Sequence, residues 1–267
     1  MNHNRIELFG CPFDRVNMQS AVDQCLAWCN EPRAAHTVVT MNAALLCTMR
    51  REYQLRAACR GGDLIVADGV PVRWVSQLAG VPLPERVAGV DLTARLLQEG
   101  AARGLSVYFL GARREVVEEL VRLCDRNYPG LKVVGWRDGY FAAADQASVV
   151  AEIAALAPHM LFVGMPSPFK EIWCERHRQA LGVPVIIGVG GTFDVLTGYV
   201  RRAPRFLQAA GMEWFWRLAM EPRKMWRRYA LTNSEFLALA AREILWHRIG
   251  HTAAEIGATA NATMQDR

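Results

Sequence analysis

Four stretches of this chain carry residues able to do chemistry. "VADGVPVRW" puts Asp68 at the end of an apolar run. A carboxylate there, held within hydrogen-bond reach of a hydroxyl, acts as a general base; an aspartate in the same place also caps a helix or closes an Asx-turn. "TMN" sets Thr40 and Asn42 two residues apart, on one side of an extended chain. They suit sugar hydroxyls and equally suit capping of the helix that follows. "VIIGVGGTFDVLTG" ends an apolar run in Gly188, Gly190 and Gly191, with Asp194 just beyond. Its glycines either make a tight strand-to-helix turn or let a ligand approach the backbone, with Asp194 anchored beside it. "FVGMPSPFKEIW" stiffens a turn with Pro166 and Pro168 and places Lys170 and Glu171 in the first turn of a helix, where solvated charges are ordinary.

Several chemistries lack their residues. A dinucleotide fingerprint needs G-x-G-x-x-G after the first strand of its unit; here Phe193 stands at the third glycine and the run is the last strand. The chain has no G-x-x-x-x-G-K-[ST], no D-x-D triplet and no G-x-S-x-G elbow. His247 and His251 are four apart beside a polar tail, and no His/Glu cluster has zinc spacing. No metal and no cofactor are expected.

The elements that would position these residues follow from periodicity. Apolar, β-branched-rich runs occupy 36–42, 63–69, 106–112, 131–136, 160–166 and 183–191. Helix-period segments separate most of them. Residues 114–130 carry Val117, Leu120, Val121 and Cys124 on one stripe and stop at Pro129-Gly130, and residues 89–104 behave similarly. Strands alternating with helices predict a Rossmann-like parallel sheet with helices on both faces. Ligands of such sheets bind outside the carboxyl ends of the strands. That rule gathers Thr40, Asn42, Asp68, Gly69, Gly111, the residues after Gly164, and Asp194.

The chain has 267 residues, 52% hydrophobic and 21% charged, enough for a sizeable core. The start, "MNHNRIELFG", has no basic segment leading into an apolar run, so no signal peptide is expected, and no apolar stretch is long enough for a transmembrane helix. Seven cysteines without a C-x-x-C read as reduced thiols, with Cys25 and Cys29 at a helical packing spacing. Near Arg201 the β/α alternation stops. The reading is a catalytic core over 1–200, a basic, aromatic helical appendage over 201–248 and a polar tail over 249–267.

The net charge of +5 is local. Residues 201–229 hold seven arginines and one lysine against two glutamates, a net +6, which leaves −1 for the rest. Six aromatics lie among those eight cations. In "PRKMWRRY" Arg223, Lys224, Arg227 and Arg228 fall on one helical side, and Met225, Trp226 and Tyr229 on the other. Such a segment suits an anionic membrane surface, capture of a diphosphate or nucleic acid; a packed hairpin with a solvated charged face has the same pattern.

The motifs "TMN", "ADGV", "RVAGVDL", "YFLGA", "GYF", "FVGMPSPFKE", "GVGGTFDVLTG", "RRAP", "GMEWFWRL" and "EPRKMWRRY", in that order, resemble the WecG/TagA/CpsF glycosyltransferases of bacterial cell-surface polysaccharide synthesis. The resemblance runs over most of the chain. It implies a metal-independent, inverting transfer from a UDP-sugar donor to a polyprenyl-diphosphate-linked sugar, at the inner face of the cytoplasmic membrane, by a cytoplasmic, peripheral enzyme. Homo-oligomerisation is left open, and no nucleic acid partner is expected. UDP-glucose, UDP-N-acetylmannosamine and its uronate are candidate donors. The resemblance implies Asp68 as base, Thr40, Asn42, Arg86 and Asp194 as pocket residues, and Arg217, Lys224 and Arg227 as cations for the UDP diphosphate. Gly69, Gly111, Lys170, Gly190 and Gly191 complete the expected substrate site. Two departures stand out: Lys170 where the family usually has Gln, and Lys224 where it usually has Arg. Two other readings stay open, a nucleic-acid-associated α/β protein and a soluble nucleotide-sugar-modifying enzyme.

Overall fold

A computed structural model describes residues 5–31, 34–220, 226 and 232–249. The chain opens with an antiparallel hairpin, β1 (Arg5–Leu8) and β2 (Cys11–Asp14). Its two-residue turn, Phe9 and Gly10, has both φ angles positive, 58° and 71°, the twist that tight hairpins require. Helix α1 (Met18–Trp28) follows, capped by the Asn17 carboxamide, which accepts from Ser20 N at 2.8 Å.

All six expected strands form, as β3 (His36–Met41), β4 (Leu64–Ala67), β5 (Ser106–Gly111), β6 (Lys132–Arg137), β7 (Met160–Gly164) and β8 (Val185–Gly188). They make one parallel sheet in the order β4-β3-β8-β7-β5-β6. Five are half-buried at most at one end, whereas β6, at the edge, is only partly covered along its length. Alternate residues serve opposite faces. Val107 and Phe109 pack with Val38, Leu64, Phe162 and Ile187 against α1, α5 (Gly89–Ala102) and α6 (Arg114–Asn127). Tyr108 and Leu110 point the other way, with Leu161, Val163 and Ile186, towards α7 (Gln146–Leu156) and α8 (Phe169–Leu181). On that second face Val39, Met41, Ile65 and Ala67 meet the β1–β2 hairpin, α2 (Ala43–Met49), α3 (Tyr53–Arg60) and α4 (Val70–Leu78). Cysteines fill both layers: all seven are buried and free, Cys25 and Cys29 among them.

Beyond β8 the described chain is helical: α9 (Thr192–Leu196), α10 (Arg205–Ala209), α11 (Glu213–Met220) and α12 (232–249). Helix α12 returns to the core. Phe236, Leu239 and Ala240 are buried in the second-face cluster, Phe236 packs on Phe9 with ring centroids 5.6 Å apart, and Glu243 accepts from Phe9 N at 2.8 Å. Among the described residues, no helix is long and apolar enough to cross a membrane.

Candidate active site

The carboxyl edge of the sheet gathers the expected residues. Asp68 follows β4, its backbone N–H donating to Met41 O at 2.8 Å, so the β3–β4 pairing carries it level with Asn42. The N-cap of α4 is Gly69, in extended backbone, and no side chain caps that helix. The Asp68 carboxylate is therefore not consumed by capping. Helix α5 starts at Gly89 directly over this edge. A Cβ there would lie 3.4 Å from Thr40 Oγ1 and 3.5 Å from Asp68 Oδ2. The hydroxyl and the carboxylate thus border the same glycine. Thr40 Oγ1 also reaches Gly188 O at 3.4 Å. Asn42 is the N-cap of α2, with Oδ1 accepting from Leu45 N at 3.0 Å, which leaves its amide N–H groups and a second lone pair on Oδ1.

The glycines divide into two kinds. At Gly111, φ is +116° and a Cβ would come within 2.7 Å of the Gly164 backbone; at Gly164 a Cβ would strike the Phe193 ring at 2.5 Å. Both are demanded by the close approach of β5, β7 and α9. In the "GVGG" turn, Lys170 occupies the clearance: its methylenes lie 3.4 Å from a Cβ on Gly188 and 3.7 Å from one on Gly190. Gly191 alone of these faces open space.

Lys170 differs from the solvated first-turn charge that its place in the helix suggests. It is buried, donating from Nζ to Ser167 Oγ at 2.7 Å and pairing with Glu171 Oε1. Glu171 is buried too, and its Oε2 has no hydrogen-bond partner. The Lys170 stem packs against the Gly188–Gly190 turn, and Ser167 bonds both side chains of the pair. Burial pushes the Lys170 ammonium down to about 8, opposed by the Asp68 carboxylate. Lys170 thus lies against the Gly188–Gly190 turn, within electrostatic reach of Asp68.

Asp194, on α9, faces Arg113, whose guanidinium is 3.9 Å from it, 3.2 Å from Glu115 and 6.0 Å from the centroid of the Tyr199 ring. Arg86 lies between Asp91 at 3.8 Å and Glu213 at 3.5 Å. Arg202, in "RRAP", grips Asp91 with a two-pronged contact of 2.5 and 2.7 Å. Those bonds hold Asp91 below the usual carboxylate range and Arg202 above its ordinary value, the latter with added pull from Glu213 and Asp68. Arg113 and Arg202 did not emerge from the sequence as site residues. The signal for Arg113 was its place two residues past the Gly111 turn; for Arg202 it was only a second arginine in a basic segment. The Arg217 side chain, Lys224 and Arg227 lie outside the described residues. Among the described residues, no three His, Cys, Asp or Glu side chains group so as to hold a metal ion.

A doubly wound parallel sheet with an aspartate, a threonine and arginines at its carboxyl edge belongs to the class of open α/β proteins, whose ligands bind in the crevice above the strands. The description of the glycosyl transferase WecG/TagA/CpsF family matches residues 6–250, and the chain belongs to that family; it is a glycosyltransferase. It is 36% identical over 191 residues to an N-acetylglucosaminyldiphosphoundecaprenol N-acetyl-beta-D-mannosaminyltransferase of Bacillus spizizenii, covering 72% of this chain and 73% of that one. It is 29% identical over 227 residues to a Bacillus subtilis protein of the same name, covering 83% and 88%.

Proposed function

We propose that this enzyme transfers N-acetylmannosamine from UDP to N-acetylglucosamine carried on undecaprenyl diphosphate, at a membrane surface, with inversion at the anomeric carbon and without a metal. The observation that carries the reading is the meeting of the Asp68 carboxylate and the Thr40 hydroxyl over Gly89, at the carboxyl edge of the sheet. Both relatives bear names for that transfer. Asp68 accepts the proton of the acceptor hydroxyl as its oxygen attacks the anomeric carbon. The bond from that carbon to the β-phosphate oxygen breaks, and its electron pair leaves with UDP. The departing diphosphate gains charge, which preorganised cations stabilise. Arg202 lies within electrostatic reach of Asp68, Arg86 shares with it the carboxylates Asp91 and Glu213, and the family resemblance adds Arg217, Lys224 and Arg227. Asp194 and Gly191 bound the donor's side of the crevice, and exposed Phe206, Trp214, Phe215 and Trp226 supply apolar contact with the lipid surface.

The test is Asp68→Asn, assayed with a panel of UDP-sugars against the lipid-linked acceptor. Transfer should fall by about 100-fold or more with UDP binding retained. Near-normal turnover removes Asp68 as the base, and preference for UDP-glucose over UDP-N-acetylmannosamine reassigns the donor. Loss of activity in EDTA that magnesium restores overturns the metal-free mechanism.

A further inference from the structure

Arg86 is a nearly buried guanidinium, its side chain 16% exposed. Of its five N–H donors, none makes a hydrogen bond among the described residues; Glu213 at 3.5 Å and Asp91 at 3.8 Å balance its charge from beyond normal charge-assisted bonding distance. The two carboxylates are not equivalent. Asp91 sits in the first turn of α5 and is already gripped by Arg202 at 2.5 and 2.7 Å. Glu213 is the first residue of α11, is 39% exposed, and has no other ion pair or hydrogen bond from its side chain among the described residues. It can return to water at small desolvation cost, while Asp91 cannot leave without breaking the Arg202 contact.

We propose that Glu213 is a stand-in anion, which the donor's diphosphate displaces from Arg86, so that nucleotide binding releases the first turn of α11 from the core. The proposal rests on the UDP-sugar reading above. Phosphate oxygens take up the uncommitted guanidinium donors, which Glu213 only balances electrostatically. Asp91 stays in place and keeps Arg86 aimed. Departure of UDP lets Glu213 return, so the same carboxylate that opposes donor binding assists product release. Glu213 is thus a positioning residue that couples the helix bearing Trp214 and Phe215 to the occupancy of the site.

Calorimetric titration of UDP into the full chain tests this, with hydrogen exchange of residues 213–220 read with and without UDP. Glu213→Gln should lower the Kd for UDP by about two- to five-fold, the scale of a partly exposed ion pair. Glu31→Gln removes one negative charge near His36, at the amino end of β3, and should leave Kd unchanged. UDP should speed exchange in the first turn of α11 in the wild type. Equal or weaker UDP binding by Glu213→Gln, an equal gain in Glu31→Gln, or slower exchange in α11 on UDP binding each overturns the proposal. If Glu213→Gln does not fold, the wild-type exchange result decides alone. A wild-type protein that binds neither UDP nor inorganic pyrophosphate refutes this proposal together with the donor reading; one that binds UDP without these effects refutes this proposal only.

Discussion

Replacing Lys170 by methionine should cost about 3–5 kcal/mol of folding stability. The Lys170 and Glu171 side chains are only 8% and 4% exposed. Methionine keeps the stem that fills the space at Gly188 and Gly190 and deletes the ammonium. Glu171 then retains one hydrogen bond, from Ser167 Oγ at 2.8 Å, on a carboxylate whose second oxygen already has no partner. An uncompensated buried charge is what makes one-sided deletion of an ion pair expensive. Lys170→Gln, which installs the residue usual in the family, keeps a donor and should cost about 1–2 kcal/mol. The double variant Lys170→Met/Glu171→Leu should recover most of the loss, since it removes the orphan with the pair. Urea unfolding followed by tryptophan fluorescence measures all three. A single variant within about 1 kcal/mol of wild type or a double variant no better than the single would refute this reasoning.

Asp91→Asn should cost about 1 kcal/mol, a modest figure because the pair with Arg202 is partly exposed. Arg202 holds Asp91 below its ordinary range, so the wild-type advantage is present at neutral pH and disappears as pH falls through the folded value; denaturation at pH 7 and in strong acid checks it. Gly111→Ala should lose about 2–5 kcal/mol, since a Cβ meets the Gly164 backbone at 2.7 Å in a left-handed conformation, and a thermal melt reads this directly. Gly191→Ala has open space and ordinary backbone, so its melt should match wild type within about 0.5 kcal/mol; a rise in donor KM at unchanged stability would mark the turn as a ligand approach.

The six strands of the sheet were legible because each is an uninterrupted apolar run bounded by turn residues, the mark of strands buried on both faces. The β1–β2 hairpin was not, because its turn uses Phe9 at positive φ where Asn-Gly or Asp-Gly would have announced it. The position of Asp68, Thr40 and Asp194 at the carboxyl edge of the sheet was legible because each lies in or just beyond the end of one of these runs. Lys170 was placed in the right turn but in the wrong medium, since nothing in "PSPFKE" reveals that its stem packs against the Gly188–Gly190 turn. Arg202 was hidden for another reason: its partner Asp91 is 111 residues away in sequence, and the ion pair exists only once α5 and the "RRAP" segment are brought together.

Phe9 and Glu243 join the two ends of the described chain, and Arg51 meets Glu235 beside them at 2.6 Å. The described helices on either side of residues 221–231, α11 and α12, are therefore each held to the core. Gly211 fastens one side, where a Cβ would press on Val70 at 2.9 Å, and Phe236 and Leu239 fasten the other. Cutting the chain at Arg201 would strip the cations and, in the same stroke, uncover the apolar layer over β1, β2 and α2. An inactive truncation would confound lost charge with lost folding. Charge-removing point substitutions separate the two, because they leave the packing of α12 on the hairpin in place.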